Sequence, residues 1–167
     1  MLDFKEILGF KFVKAGAFYL AKEPWTGGGK KTGIWESYVS LRLYDGQYRK
    51  ADETVYLVYS ELDLKYVGEF SYNLEDRWLK ENEDYVKHEK FKNIENEINN
   101  GHEVTIWLAV SPYDDIDEIN QLNISKSIEH EILRKYSPEW NSRNKTGRWE
   151  DWRKDNCIKV ADIINSA

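Results

Sequence analysis

Thr54-Val-Tyr-Leu-Val-Tyr-Ser-Glu-Leu-Asp-Leu-Lys-Tyr-Val-Gly-Glu-Phe70 is the stretch on which the reading of this chain turns. Residues 54–59 form a β-branched and aromatic run of strand type, and residues 64–70 form a second. Only a handful of mostly polar residues separate them, which predicts an antiparallel hairpin. Each strand carries a tyrosine: Tyr56 closes Thr-Val-Tyr, and Tyr66 opens Tyr-Val-Gly.

Downstream of the hairpin, helical periodicity begins at Asn73 or Leu74. Leu74, Trp78 and Tyr85 share one face, whereas Phe91, Ile94 and Ile98 share a face at a different phase. The slip near His88 predicts a break or two helices, and Asn99-Asn100-Gly101 predicts the stop. Residues 104–110 are nearly continuously apolar, as expected of a central strand. Residues 124–136 read as a helix ended by Ser137-Pro138, and residues 149–164 as a last helix. Upstream, residues 34–44 read as a strand and Asp45-Gly46 as a turn, while residues 25–33 read as a flexible basic loop. The first twenty residues mix apolar and basic positions without a clear period. The expected class is α+β: a mixed core at residues 53–141, an N-terminal extension at 1–52 and a C-terminal tail at 142–167.

Composition sets bounds without choosing a function. A chain of 167 residues with 41% hydrophobic and 32% charged residues fits one globular domain with small additions. No apolar run approaches the roughly 20 residues needed to span a bilayer, and the acidic start argues against a signal peptide. The single cysteine, Cys157, forms no internal disulfide and reads as a small buried hydrophobe, which suits a reducing, cytoplasmic setting. The net charge of −6 is a mean, and binding to phosphates depends on local patches. Acids gather between Glu81 and Glu97, whereas residues 134–154 hold seven Lys or Arg against three acids.

The motifs resemble those of the GIY-YIG nuclease superfamily. In that family a strand ending in Gly-Ile-Tyr pairs with one starting in Tyr-Ile-Gly, an arginine follows in the first helix, and a glutamate lies in a later one. Here Arg77 stands nine residues after Gly68. The later segment, residues 128–141, aligns Glu129, Leu133, Pro138 and Asn141 with the family's pattern, with Ile132 and Trp140 as mild replacements. Thr54 replaces the first glycine, and Glu81 stands where the family commonly has a histidine four residues after the arginine. His88, 11 residues after Arg77, lies near the same helical face. The resemblance covers about 90 of the 167 residues.

It implies a three-stranded antiparallel sheet flanked by helices, and a metal-dependent DNA endonuclease with Tyr56, Tyr66, Lys65, Arg77 and Glu129 as catalytic residues. Asn141 and His88 are then supporting residues. A tyrosine, with an ordinary pKa near ~10, acts as a base only where a cation stabilises its phenolate. A divalent metal, Lys65 or Arg77 would supply that field. One carboxylate with water and phosphate oxygens is a typical way to hold Mg²⁺, with Mn²⁺ as the substitute. Glu129 shares a helical stripe with Leu133 and Tyr136, whereas Glu131 shares its side with Ser127 and Lys135. Glu129 is therefore the expected ligand. Taken singly, the tyrosines read as strand residues, and Arg77 and Glu129 as surface helix residues. The order and spacing together carry the functional reading. His102 and His130 read as surface residues, and no His pair has zinc-ligand spacing.

Two basic segments are open to two readings. Gly27-Gly28-Gly29-Lys30-Lys31-Thr32 is not a phosphate-binding P-loop, because Pro24 stands where that motif needs a glycine. It is a plain flexible loop, or one that brings Lys30 and Lys31 to a DNA backbone. The tail interleaves Trp140, Trp149 and Trp152 with Arg143, Lys145, Arg148 and Arg153. Either it tracks phosphates and stacks on bases, or its tryptophans pack on the core. The compact size resembles small restriction enzymes, which implies double-stranded DNA as partner and a homodimer that cuts both strands. The alternatives are an inactive nucleic-acid-binding module, or a mobile-element or antibacterial nuclease.

Overall fold

A computed structural model describes residues 2–24, 35–51, 53–70, 74, 78, 89–115 and 121–141. The expected hairpin is present: β4 (Thr54–Ser60) and β5 (Asp63–Phe70) pair antiparallel, with Ser60 opposite Asp63 across a two-residue turn. That turn is docked rather than free. The Glu61 backbone N–H donates to the Glu103 carbonyl at 2.9 Å, and the Glu103 N–H donates to the Glu61 carboxylate at 2.7 Å.

On the other side of β4 runs β6 (Val104–Ala109), antiparallel, with Tyr56 opposite Leu108 and Ser60 opposite Val104. Every residue of β4 and β6 is buried, which explains their unbroken apolar runs: both strands have neighbours on each edge and packing on each face. The sheet continues beyond β6. The 15-residue strand β2 (Phe10–Pro24) pairs with β6 through Phe12 to Ala17. Its outer edge is shared by β1 (Phe4–Ile7) and then β3 (Trp35–Leu43). The six strands form one antiparallel sheet in the order β1-β2-β6-β4-β5, with β3 beside β2. The extension before residue 53 therefore contributes strands to the same sheet as the hairpin. A single turn of 3₁₀ helix, Gly46–Lys50, follows the predicted Asp45-Gly46 turn, capped by Asp45 on the Gln47 N–H at 2.8 Å.

A helix lies on each face. Helix α1 (Glu89–Asn99) buries Ile94 and packs Phe91 and Ile98 against one face, where they meet Val13, Phe18, Tyr56, Val58, Tyr66, Phe70, Leu74 and Trp78. Leu74 and Trp78 are buried and helical, as the periodicity predicts. The expected break near His88 lies outside the described residues. The stop at Asn99-Asn100-Gly101 is a Schellman cap: the Gly101 N–H reaches the Ile98 carbonyl and the His102 N–H the Glu97 carbonyl, both at 3.0 Å. Gly101 adopts φ +86°, which only glycine takes without a steric penalty.

The opposite face belongs to α2 (Ser125–Tyr136), whose Ile128, Ile132 and Leu133 pack on Val55, Leu57, Val67 and Trp107. Asn123 fixes its start by accepting from the Ser125 N–H at 2.9 Å and donating to the Glu53 carbonyl at 3.0 Å. At its end Ser137 turns left-handed, with φ 43°, and Pro138 cannot extend the helix. A small ribbon, β7 (Tyr113–Asp115) with β8 (Gln121–Asn123), joins β6 to α2. The architecture is thus mixed strand and helix, an antiparallel sheet with a helix on each face. None of the helices among the described residues is long and apolar enough to cross a membrane. The expected last helix at residues 149–164 lies outside the described residues.

Candidate functional site

Alternation along β4 puts Tyr56 on the α1 face together with Val58 and Ser60, while Val55, Leu57 and Tyr59 face α2. Cross-strand pairing then brings the two tyrosines together. Tyr56 is directly opposite Gly68, and Tyr66 is opposite Val58 on the same face. Their ring centroids are 5.9 Å apart with the planes tilted by 34°. Phe70 stacks on the far side of Tyr56 at 5.8 Å, and Trp78 meets it edge-on at 5.6 Å. Gly68 makes this possible. A methyl group on its Cα would stand 2.6 Å from the Tyr56 phenol oxygen and 2.8 Å from Tyr66 Cε1. The glycine of Tyr-Val-Gly is thus the floor on which the Tyr56 phenol rests.

Burial separates the pair. Tyr56 is 0% exposed, whereas Tyr66 keeps 9% of its surface at the margin of the cluster. The Tyr66 hydroxyl accepts a hydrogen bond from the ammonium of Lys90, in the first turn of α1, and that ammonium lies 4.1 Å from the Tyr66 ring centroid.

Lys65 occupies a β-bulge. The register steps from Val58–Tyr66 to Tyr59–Leu64, so Lys65 is the extra residue. A bulge breaks strict alternation and re-aims a side chain. The Lys65 ammonium pairs with the Glu139 carboxylate at 3.0 Å. That hydrogen bond raises its pKa above the ordinary lysine value, with smaller help from the charges of Glu139, Glu97 and Asp63. Beside it, residues 138–141 line the outer edge of β5. The Trp140 N–H donates to the Lys65 carbonyl at 2.9 Å. The Asn141 amide is a fork: Oδ1 accepts from the Val67 N–H at 3.0 Å and Nδ2 donates to the Val67 carbonyl at 2.7 Å. Asn141 thus satisfies both backbone groups of the middle residue of Tyr66-Val67-Gly68, on a strand that is an edge of the sheet among the described residues.

At the hairpin end of the same face, Glu97 of α1 accepts the Ser60 hydroxyl, and His102 Nδ1 lies 2.6 Å from the same carboxylate oxygen. The Ser60 hydroxyl, followed by His102, holds the Glu97 carboxyl below its usual range.

Glu129 is half-buried on α2, and α2 packs on the face opposite the tyrosines. Glu131 is exposed and paired with Arg134 at 2.7 Å, so the helix orients the two glutamates as the stripe predicts. Tyr136, expected to face protein with Glu129, is exposed at the helix end. His102 and His130 are exposed, as expected of surface residues. Among the described residues no three His, Cys, Asp or Glu gather into a metal-binding group. A cage of several protein ligands therefore does not fit the described donor set. One carboxylate with water and phosphate oxygens is a typical way to hold Mg²⁺, but α2 carries Glu129 on the face opposite Tyr56 and Tyr66, so the described residues do not bring the expected ligand and the two phenols together. Arg77, Glu81, His88, Lys30, Lys31, Arg143, Lys145, Arg148, Arg153 and Cys157 lie outside the described residues. So do the basic loop and the tail after Asn141.

Sequence reasoning missed Lys90. No local pattern marks it, because its contact with Tyr66 spans 24 residues and arises only when α1 folds over the sheet. No protein-family model, curated protein or solved structure matches this chain.

Proposed function

We propose that the chain is a metal-dependent endonuclease of the GIY-YIG kind, hydrolysing phosphodiester bonds in double-stranded DNA. The observation that carries this reading is the tyrosine pair seated over Gly68, with Asn141 clamped to the backbone between Tyr66 and Gly68. Residues from two ends of the core are spent on fixing one short strand segment around two phenols.

Tyr66 is the phenol within reach of a substrate, since it touches the surface where Tyr56 does not. Its oxygen is the place at which the attacking water gives up a proton. Tyr56 holds the Tyr66 ring from behind, and its own oxygen fixes the spacing to Gly68. Arg77 has the planar fork suited to gripping phosphate oxygens. The resemblance gives Glu129 the role of holding Mg²⁺, which when bound would neutralise charge on the leaving oxygen; α2 carries that carboxylate on the face opposite the phenols, so this part of the reading rests on the resemblance alone. A restriction-type role and a homodimer belong to the same proposal. Incubating plasmid DNA with the protein in Mg²⁺ or Mn²⁺, against EDTA, tests it. Metal-dependent nicking or linearisation supports the enzyme, and discrete fragments from genomic DNA support restriction.

The complete enclosure of Tyr56 favours a second reading, a DNA-binding module in which both tyrosines serve the core. DNA binding without cleavage under every divalent metal selects it.

A further inference from the structure

The geometry points to Lys90 as a phosphate-contacting residue at the Tyr66 phenol, an inference that rests on the nucleic-acid reading above. Sequence reasoning gave the cation beside the tyrosines to Lys65 or Arg77. The ammonium of Lys65 is already matched by Glu139 at 3.0 Å. Lys90 differs: it is half-buried, and no carboxylate among the described residues pairs with it. An ammonium has three N–H donors, and the Tyr66 hydroxyl takes one, leaving two for another acceptor. Burying part of a cation costs solvation, and a nearby anion offsets that cost. Among the described residues, then, no anion matches this compact point charge beside the Tyr66 oxygen. A DNA phosphate reaching the margin of the cluster, where Tyr66 keeps 9% of its surface, is a group that would supply one. Lys90 also stands in the first turn of α1, so its backbone is fixed by the helix that covers the tyrosine face.

The test is equilibrium binding of a fluorescein-labelled DNA duplex in EDTA, across a series of KCl concentrations. It compares wild-type protein with Lys90→Met and Lys90→Arg, after melting curves show that all three fold alike. The expected result is weaker binding by Lys90→Met, with the slope of log K against log salt shallower by about one unit, and a wild-type slope for Lys90→Arg. A residue that merely supports Tyr66 would weaken binding without changing the slope. Equal affinity and slope for Lys90→Met and wild type overturn the inference, as does failure of the wild type to bind the duplex. Cleavage, measured separately in Mg²⁺, keeps the two claims apart. A Lys90-dependent slope without cleavage sinks the nuclease and supports the contact. Cleavage with a Lys90-independent slope does the reverse.

Discussion

Gly68 is where one added methyl group interrogates the arrangement of the tyrosine pair. The added carbon would stand 2.6 Å from the Tyr56 oxygen and 2.7 Å from Tyr56 Cζ, and the Tyr56 ring is closed in by Phe70 and Trp78. A flexible surface chain would swing aside, but a fully buried ring boxed on several sides has nowhere to go. Gly68→Ala is therefore expected to lower stability by about 1–3 kcal/mol, the usual cost of overpacking. This exceeds the roughly 0.4–1 kcal/mol that the same change contributes by restricting the unfolded chain. Urea unfolding of the variant checks it, and an unchanged midpoint would show that Tyr56 is not seated over Gly68. The tyrosines and their glycine were legible in the sequence because their relation is local, set by two strands and one hairpin. Lys90 was not, because its place beside Tyr66 depends on how a helix beginning 23 residues later crosses the sheet.

Among the elements, the three that read most clearly are β4, β5 and β6. The two central ones are apolar on both faces and cannot be mistaken for loops. β2 did not read as a strand for a physical reason. Its pairing with β6 shifts between Lys14 and Gly16, so the alternation of Phe10, Phe12 and Lys14 changes phase before Phe18. A bulge hides a strand from any test based on a period of two. The edge element β5 depends on Asn141, whose amide serves both backbone groups of Val67. Asn141→Ala leaves a partly buried N–H and carbonyl without that partner, so a loss of about 1–3 kcal/mol is expected. Asn141→Asp keeps the acceptor but sets a carboxylate oxygen against the Val67 carbonyl, and should cost at least as much. Amide hydrogen exchange at Val67 reads this directly. Protection that survives both substitutions would mean that the fork does not hold the strand.

For the molecule as a whole, two apolar layers clasp one sheet, and charged contacts trim its ends. Among those contacts Glu97 makes stability depend on pH. Its carboxyl titrates below the ordinary value in the folded chain because Ser60 and then His102 bond to the ionised form. The stabilisation it contributes is therefore complete above the unfolded-state value near ~4.5, and is lost as pH falls through the lower folded value. Glu97→Gln should lower the melting temperature at neutral pH and flatten its decline below about pH 4.5. Parallel melting curves for variant and wild type across that range would remove Glu97 from the account.

The proposed activity places a phosphodiester-cleaving centre at Tyr66 and Tyr56. Single-turnover cleavage of a DNA duplex in Mg²⁺ by wild type, Tyr66→Phe and Tyr56→Phe tests it most directly. Phenylalanine keeps every ring contact and removes only the phenol oxygen. The wild type is expected to cleave. A fall of about 10²-fold or more is expected for Tyr66→Phe, the scale of a lost acid–base group, while DNA affinity stays unchanged. A loss is expected for Tyr56→Phe as well, again with binding retained. Wild-type rates from Tyr66→Phe, or no cleavage by the wild type under any divalent metal, would contradict the proposed activity.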